Sequence, residues 1–242
     1  MKRSQIWYSD RVQRHVRLTR WGHYGTPVLL FPTAGGDAEE AERMQLIDAL
    51  RGLIDEGRVK VYSCDSVWSE ALLSRRHSPQ HCMWLKRRYH DYIYREVVPA
   101  IRADCHTDDI RIVTAGASIG GFNAVAALCL HPDAFCTAIG MSGTYDVTRL
   151  MDGLFTDDLY YTSPLHYLGG LDDGWQLQTL RQRMVLMATG EGQWENPAHA
   201  WNMARVLGAK DIPNRVDSWG PAWAHDWPTW RQMLPQYLAE FA

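Results

Sequence analysis

The segment Gly116-Ala117-Ser118-Ile119-Gly120-Gly121 places a hydroxyl between glycines two positions before and two after it. A serine presented on a sharp strand-to-helix turn must adopt strained backbone angles, and small residues at those two positions let the flanking chain close around it. The chemistry that suits such a serine is attack on a carbonyl through a covalent acyl intermediate. That chemistry needs a base to take the hydroxyl proton, an acid to orient the base, and N–H donors for the developing oxyanion. A bare G-x-S-x-G pattern is weak by itself. Its weight here comes from context: an apolar run before it, a small-residue helical stretch after it, and a position just short of mid-chain.

On a turn of this kind the partners follow the serine in chain order, first a carboxylate and then a histidine. His225, in WGPAWAHDWPTW, lies after the last expected strand and fits as the base, whereas His166 and His199 come too early. The acid belongs just beyond the apolar run MVLMAT, where the chain reads Gly190-Glu191-Gly192-Gln193-Trp194-Glu195. Glu195 is preferred and Glu191 is the alternative, with Asp146 in MSGTYD behind them; any of these could hold an imidazole tautomer. The Ile119 N–H, at the start of the following helix, is one expected oxyanion donor. A second should come from the small-residue loop Pro32-Thr33-Ala34-Gly35-Gly36, with the Ala34 N–H first and the Gly35 N–H second.

Tryptophan is abundant, at 11 residues, and Trp194, Trp223, Trp227 and Trp230 fall close in sequence to the expected acid and base. Trp194, Trp223 and Trp227 are taken as candidates for an apolar substrate pocket, against ordinary core packing. Two histidines and a cysteine occur within HSPQHC (77–82), but Pro79 argues against a regular helix there and no further ligands lie nearby, so no metal is expected. Arg75, Arg76, Lys86, Arg87 and Arg88 read first as a solvated helix face and second as a holder for an acidic substrate group. Asp65 and Asp226 read as caps of a turn and of the last helix.

The elements that would position these groups alternate between short apolar runs and longer stretches of helical period. That is the pattern of a mostly parallel sheet covered by helices. Strands are expected at 28–31, 59–64, 111–115, 137–141, 184–189 and 215–218. Helices are expected over about 38–56, with Asp37 and Glu40 as a capping-box-like start, and over about 84–102, with Leu85, Tyr89, Ile93 and Val97 on one face. A third helix, FNAVAALCL, ends at His131-Pro132, and a last one begins near Pro228. No repeat or linker divides the chain, so residues 1–242 are read as one domain, and 150–175 could form a small cap.

With these pieces in place, the chain resembles the esterase branch of the α/β-hydrolases that includes S-formylglutathione hydrolases, feruloyl esterases and mycolyltransferases, and is similar above all to small bacterial esterases. The resemblance rests on FPTAGGDAEEAE, YSCDSVWSEA, REVVPAIR, GASIGGFNA, MSGTYD, GQWE and WAHDWPTW, spread over about 28–234. It implies an α/β-hydrolase fold in one domain, Ser118 as nucleophile, His225 as base, an acid after the strand ending near Thr189, and no cofactor. Many hydrolases carry an aspartate at that acid position, where this chain has two glutamates. The expected activity is carboxylic-ester hydrolysis on a small-molecule ester. An acyltransferase with the same triad is the first rival, and a binding protein with a silent triad is the second.

A net charge of −3 gives no electrostatic reason to expect nucleic acid or an anionic membrane as partner. The charged first 17 residues do not read as a signal peptide, and no apolar run approaches the ~18 residues of a membrane helix. Five scattered cysteines suit free thiols in a reducing cytoplasm.

Overall fold

Apolar runs bounded by polar turns become the inner strands of one eight-stranded sheet in the computed structural model, which describes residues 1–241. In chain order the strands are β1 (Lys2–Ser9), β2 (Arg14–Trp21), β3 (Thr26–Phe31), β4 (Val59–Cys64), β5 (Ile112–Ala117), β6 (Phe135–Met141), β7 (Met184–Thr189) and β8 (Asn214–Ser218). They lie in the order β1-β2-β4-β3-β5-β6-β7-β8. The β1–β2 and β2–β4 pairs are antiparallel and the remaining pairs parallel. The order reverses between β4, β3 and β5, and ligands of such sheets bind outside the carboxyl ends of the strands.

Successive side chains of an inner strand feed two separate cores. Leu29 and Phe31 of β3 pack on one face, while Val28 and Leu30 pack on the other. The first face is covered by α4 (Val67–Ser74), by α5 (Pro79–Tyr92) running through a π turn (Ile93–Val97) into α6 (Val98–Asp104), and by α7 (Ile119–Leu130). A 3-10 turn (Thr148–Met151), α8 (Asp157–Tyr160), α9 (Pro164–Tyr167), α10 (Trp175–Leu180) and α11 (Ala198–Gly208) complete that layer. The opposite face is covered by α1 (Glu40–Arg43), α2 (Leu46–Ala49), α3 (Arg51–Asp55) and the closing α12 (Trp227–Phe241), whose Trp230, Met233 and Leu234 share one core with Leu46 and Ile54.

Several boundaries differ from the sequence expectation, each for a physical reason. The stretch 38–56 is three short helices rather than one: Gln45 is left-handed (φ 61°) and ends the first of them, although Met44, Ile47, Leu50 and Ile54 keep helical spacing. Glu40 does not close a capping box with Asp37. It reaches back to the Thr33 N–H (2.8 Å) and hydroxyl (2.6 Å) instead. Pro79 does not block a helix but starts α5 as its first residue, after Ser78 accepts from the His81 N–H. Lys86 is not part of a solvated face: it is fully buried, with Nζ donating to the Thr162 carbonyl (2.7 Å) and hydroxyl and lying 4.6 Å from the Phe122 ring centre.

Candidate active site

Ser118 occupies the turn between β5 and α7 with φ 56° and ψ −121°, a conformation that costs an ordinary residue about 1–3 kcal/mol. Its neighbours explain why it can be held there. A Cβ on Gly116 would lie 2.4 Å from the Gly120 carbonyl, and one on Gly120 would lie 2.4 Å from the Phe31 oxygen. The backbone of Ser118 is also tied down: its N–H donates to Met141 O (2.9 Å), and its carbonyl accepts from Phe122 N–H and Thr144 N–H (both 3.2 Å). A strained hydroxyl-bearing residue is thereby fixed between the carboxyl ends of β5 and β6.

The residues expected as acid and base follow the next two strands of the sheet. Glu195 follows β7, and His225 lies between β8 and α12. Their loops are joined: the His225 N–H donates to Gln193 O (2.9 Å) and the Gly192 N–H to Trp223 O (2.9 Å). A side chain at Gly190 would meet the Trp223 oxygen at 2.0 Å, so the close approach of the two loops requires glycine there. His225 Nδ1 is 3.8 Å from Glu195 Oε2. The Glu195 side chain is 2% exposed and that of His225 is 23% exposed, so the carboxylate is sealed while the imidazole keeps a way out.

The other carboxylates fall elsewhere. Glu191 is exposed and accepts from the Ser218 hydroxyl (2.5 Å), and Asp146 accepts from the Thr148 N–H (3.0 Å) and hydroxyl. Asp226 accepts from the Trp227 N–H (2.7 Å) at the start of α12, and Asp65 accepts from the backbones of Arg17 (2.8 Å) and Ala38 (3.1 Å).

Ser142, which sequence reasoning passed over, and Trp230, which it noted only for closeness to His225, complete the surroundings of Glu195. Ser142, immediately after β6, donates from Oγ to Glu195 Oε1, and Trp230 Nε1 of α12 donates to the same Ser142 Oγ (3.0 Å). Thr189 Oγ1 adds a contact to Glu195 Oε2 (3.2 Å). The Trp230 ring also stands edge-on to His225, with centroids 5.2 Å apart at 83°. Burial pushes the Glu195 carboxyl up, but His225 beside it and the Ser142 hydroxyl outweigh that and hold it below the usual carboxylate range. The signal for Ser142 in the sequence is slight: a small polar residue directly after a buried strand.

A cavity of about 650 Å³ opens at Ser118. Its floor is Ser118, Ile119, Ala34 and Thr144. One wall comes from α4 and the start of α5 (Leu72, Leu73, Arg75, His77, Pro79 and Cys82), and the other from the 3-10 turn and the residues after it (Arg149, Leu150 and Asp152). Ala34 therefore borders the same space as Ser118, while the Gly35 N–H is turned to the Ser69 hydroxyl (3.2 Å). Glu40 steadies this loop from behind through its two bonds to Thr33.

The tryptophan pocket expected from the sequence is corrected here, since none of Trp194, Trp223 and Trp227 lines the cavity. Trp194 is 81% exposed. Trp223 packs edge-on against Trp219 (4.8 Å), and Trp227 packs against Trp230 (5.1 Å). Closeness in sequence to His225 suggested a shared pocket, but the rings of Trp223 and Trp227 pack on other tryptophans. Residues 150–175 do not form a detached cap: Met151, Leu159 and Leu168 are buried in the first core, and of this stretch only Leu150 and Asp152 line the cavity. Among the described residues no group of three metal-ligating side chains is assembled, and His77 and His81 stack on one another (4.7 Å).

The family model described as "Putative esterase" matches residues 53–241. The fold is similar to that of a ferulic acid esterase (TM-score 0.73, 15% identity, covering 100% of this chain and 99% of that one). It is also similar to S-formylglutathione hydrolases from Staphylococcus aureus (TM-score 0.70, 17% identity, 99% and 98% covered) and Agrobacterium tumefaciens (TM-score 0.72, 12% identity, 99% and 94% covered). No curated protein sequence matches the chain. The chain belongs to this esterase family and is a carboxylesterase of the α/β-hydrolase fold.

Proposed function

We propose that the enzyme cleaves carboxylic esters through an acyl-enzyme formed on Ser118, with His225 as general base and Glu195 as the acid of the triad. The observation that carries this reading is the joining of three neighbouring strand ends by direct contacts. Ser118 is bonded to Met141 at the end of β6, the next residue, Ser142, is bonded to Glu195, and Glu195 faces His225. With Nδ1 turned to Glu195, Nε2 is the nitrogen left to take the Ser118 proton. The serine oxygen then attacks the ester carbonyl, the oxyanion is held by the Ile119 and Ala34 N–H groups, and the alcohol departs with the proton from His225. Of the two loop donors, Ala34 is favoured because the Gly35 N–H is already engaged.

Water is the second nucleophile in this scheme, so that hydrolysis rather than transfer to an acceptor alcohol completes the cycle, in keeping with membership of an esterase family. Five free thiols suit work in a reducing cytoplasm. The substrate is a small ester, and no helix among the described residues is long and apolar enough to cross a membrane. The test is pre-steady-state hydrolysis of 4-nitrophenyl acetate. A burst of 4-nitrophenol equal to the enzyme concentration, lost in Ser118→Ala, is expected. Unchanged turnover in Ser118→Ala would refute the proposal.

A further inference from the structure

Each wall of the Ser118 cavity ends in an arginine. Arg75 is the left-handed residue (φ 51°) that terminates α4, and Arg149 sits on the 3-10 turn that lines the same cavity. Both are exposed, and neither guanidinium has an ion-pair or hydrogen-bond partner among the described residues. Asp152, the one carboxylate of the lining, is paired with neither. His77 stands on the same side as Arg75. The opening is thus cationic in a protein whose net charge is −3. Leu72, Leu73, Leu150 and Ile119 give the same lining an apolar share.

Two guanidiniums that are free of protein partners, sharing a cavity with Ser118 and four apolar side chains, match a ligand with an apolar segment and an anionic end. Guanidinium is the group best suited to carboxylate, by two parallel N–H donations. Resting on the esterase reading above, we infer that the preferred substrates are esters carrying a carboxylate, held in the cavity by Arg75 and Arg149 while an apolar segment reaches to Ser118. A neutral ester of the same length would fill the cavity and leave both arginines to solvent.

Two matched pairs of esters test this, one for each side of the scissile bond. 4-Nitrophenyl hydrogen adipate against methyl 4-nitrophenyl adipate places the charge on the acyl side. 3-(4-Acetoxyphenyl)propionate against its methyl ester places it on the alcohol side. The expected result is a kcat/KM about tenfold higher for the acid than for its neutral twin in one pair, carried by KM and shrinking as salt screens the charges. Arg75→Gln and Arg149→Gln should each lower that acid-to-neutral ratio about three- to tenfold, the double variant should bring it near one, and Arg→Lys should restore part of it. A ratio measured within one sample is unaffected by the fraction of folded enzyme. Hydrolysis of the neutral esters with a ratio near one in both pairs, or a preference untouched by the substitutions, overturns this inference alone. Failure of the enzyme to hydrolyse any of the four esters overturns the esterase reading with it.

Discussion

Trp230 Nε1 donates to Ser142 Oγ across 3.0 Å, and Ser142 in turn donates to Glu195, so an indole of the last helix sets the direction of a hydroxyl that grips the buried acid. Only one lone-pair direction of Ser142 is free once Trp230 is bonded, and its proton is thereby committed to the carboxylate. Ser142→Ala should leave Glu195 short of a donor in a site closed to water. About 1–3 kcal/mol of stability should go with it, because a buried charged acceptor loses a partner. Urea unfolding measures that loss. A decrease in kcat with little change in KM would identify the role as positioning, and Trp230→Phe should reproduce it more mildly.

Glu195→Gln removes the charge that holds the His225 imidazole while keeping the shape. Activity should fall about 10²–10⁴-fold, the range for misoriented or unsupported acid–base groups. Stability offers a second check with a definite sign. The Glu195 carboxyl is held below its ordinary value in the folded state, so it binds its proton more readily when unfolded. Its contribution is therefore fully present above the unfolded value of about 4.3 and is lost as pH falls through the lower folded value. The stability gap between wild type and Glu195→Gln should close on acidification below about pH 4.

The turn itself is tested by adding one carbon. Gly120→Ala drives a Cβ to 2.4 Å from the Phe31 oxygen, and Gly116→Ala drives one equally close to the Gly120 carbonyl. Neither contact is with a flexible side-chain end, so the backbone must move. A loss of about 1–3 kcal/mol and a fall in kcat are expected from each, read by thermal melting and steady-state kinetics.

Lys86 gives a pH effect of the opposite origin. Full burial pushes its ammonium well below the ordinary lysine value. Between the folded and unfolded values the unfolded chain holds the extra proton, so stability should rise with pH toward about 10.4. Lys86→Met removes that dependence, and its urea midpoint should be flatter between pH 7 and 10 than that of wild type.

Strands such as β4 and β7 were legible to the residue because a buried parallel strand is a short apolar run with polar ends. The places of Ser118, on a strand-to-helix turn, and of His225, on the loop between the last strand and the closing helix, were legible from the order of elements. What was not legible depends on distance in the chain. The hairpin of β1 and β2 was missed because β1 is an edge strand with nearly every side chain exposed, which erases the alternation that marks a strand. The three helices at 40–55 read as one because side-chain spacing does not record the left-handed backbone of Gln45. Ser142 meets Glu195 across 53 positions and Trp230 across 88, beyond any local pattern. The tryptophans near His225 misled for the same reason: neighbours in sequence share a loop, but each ring goes where packing takes it.

The most direct test is the site of covalent capture. Incubation with a fluorophosphonate ester, followed by intact-mass measurement and peptide mapping, should give one adduct per chain on Ser118, and Glu195→Gln should slow its formation in parallel with kcat. An active enzyme that forms no adduct, or forms it on a residue other than Ser118, would contradict the assignment of the nucleophile.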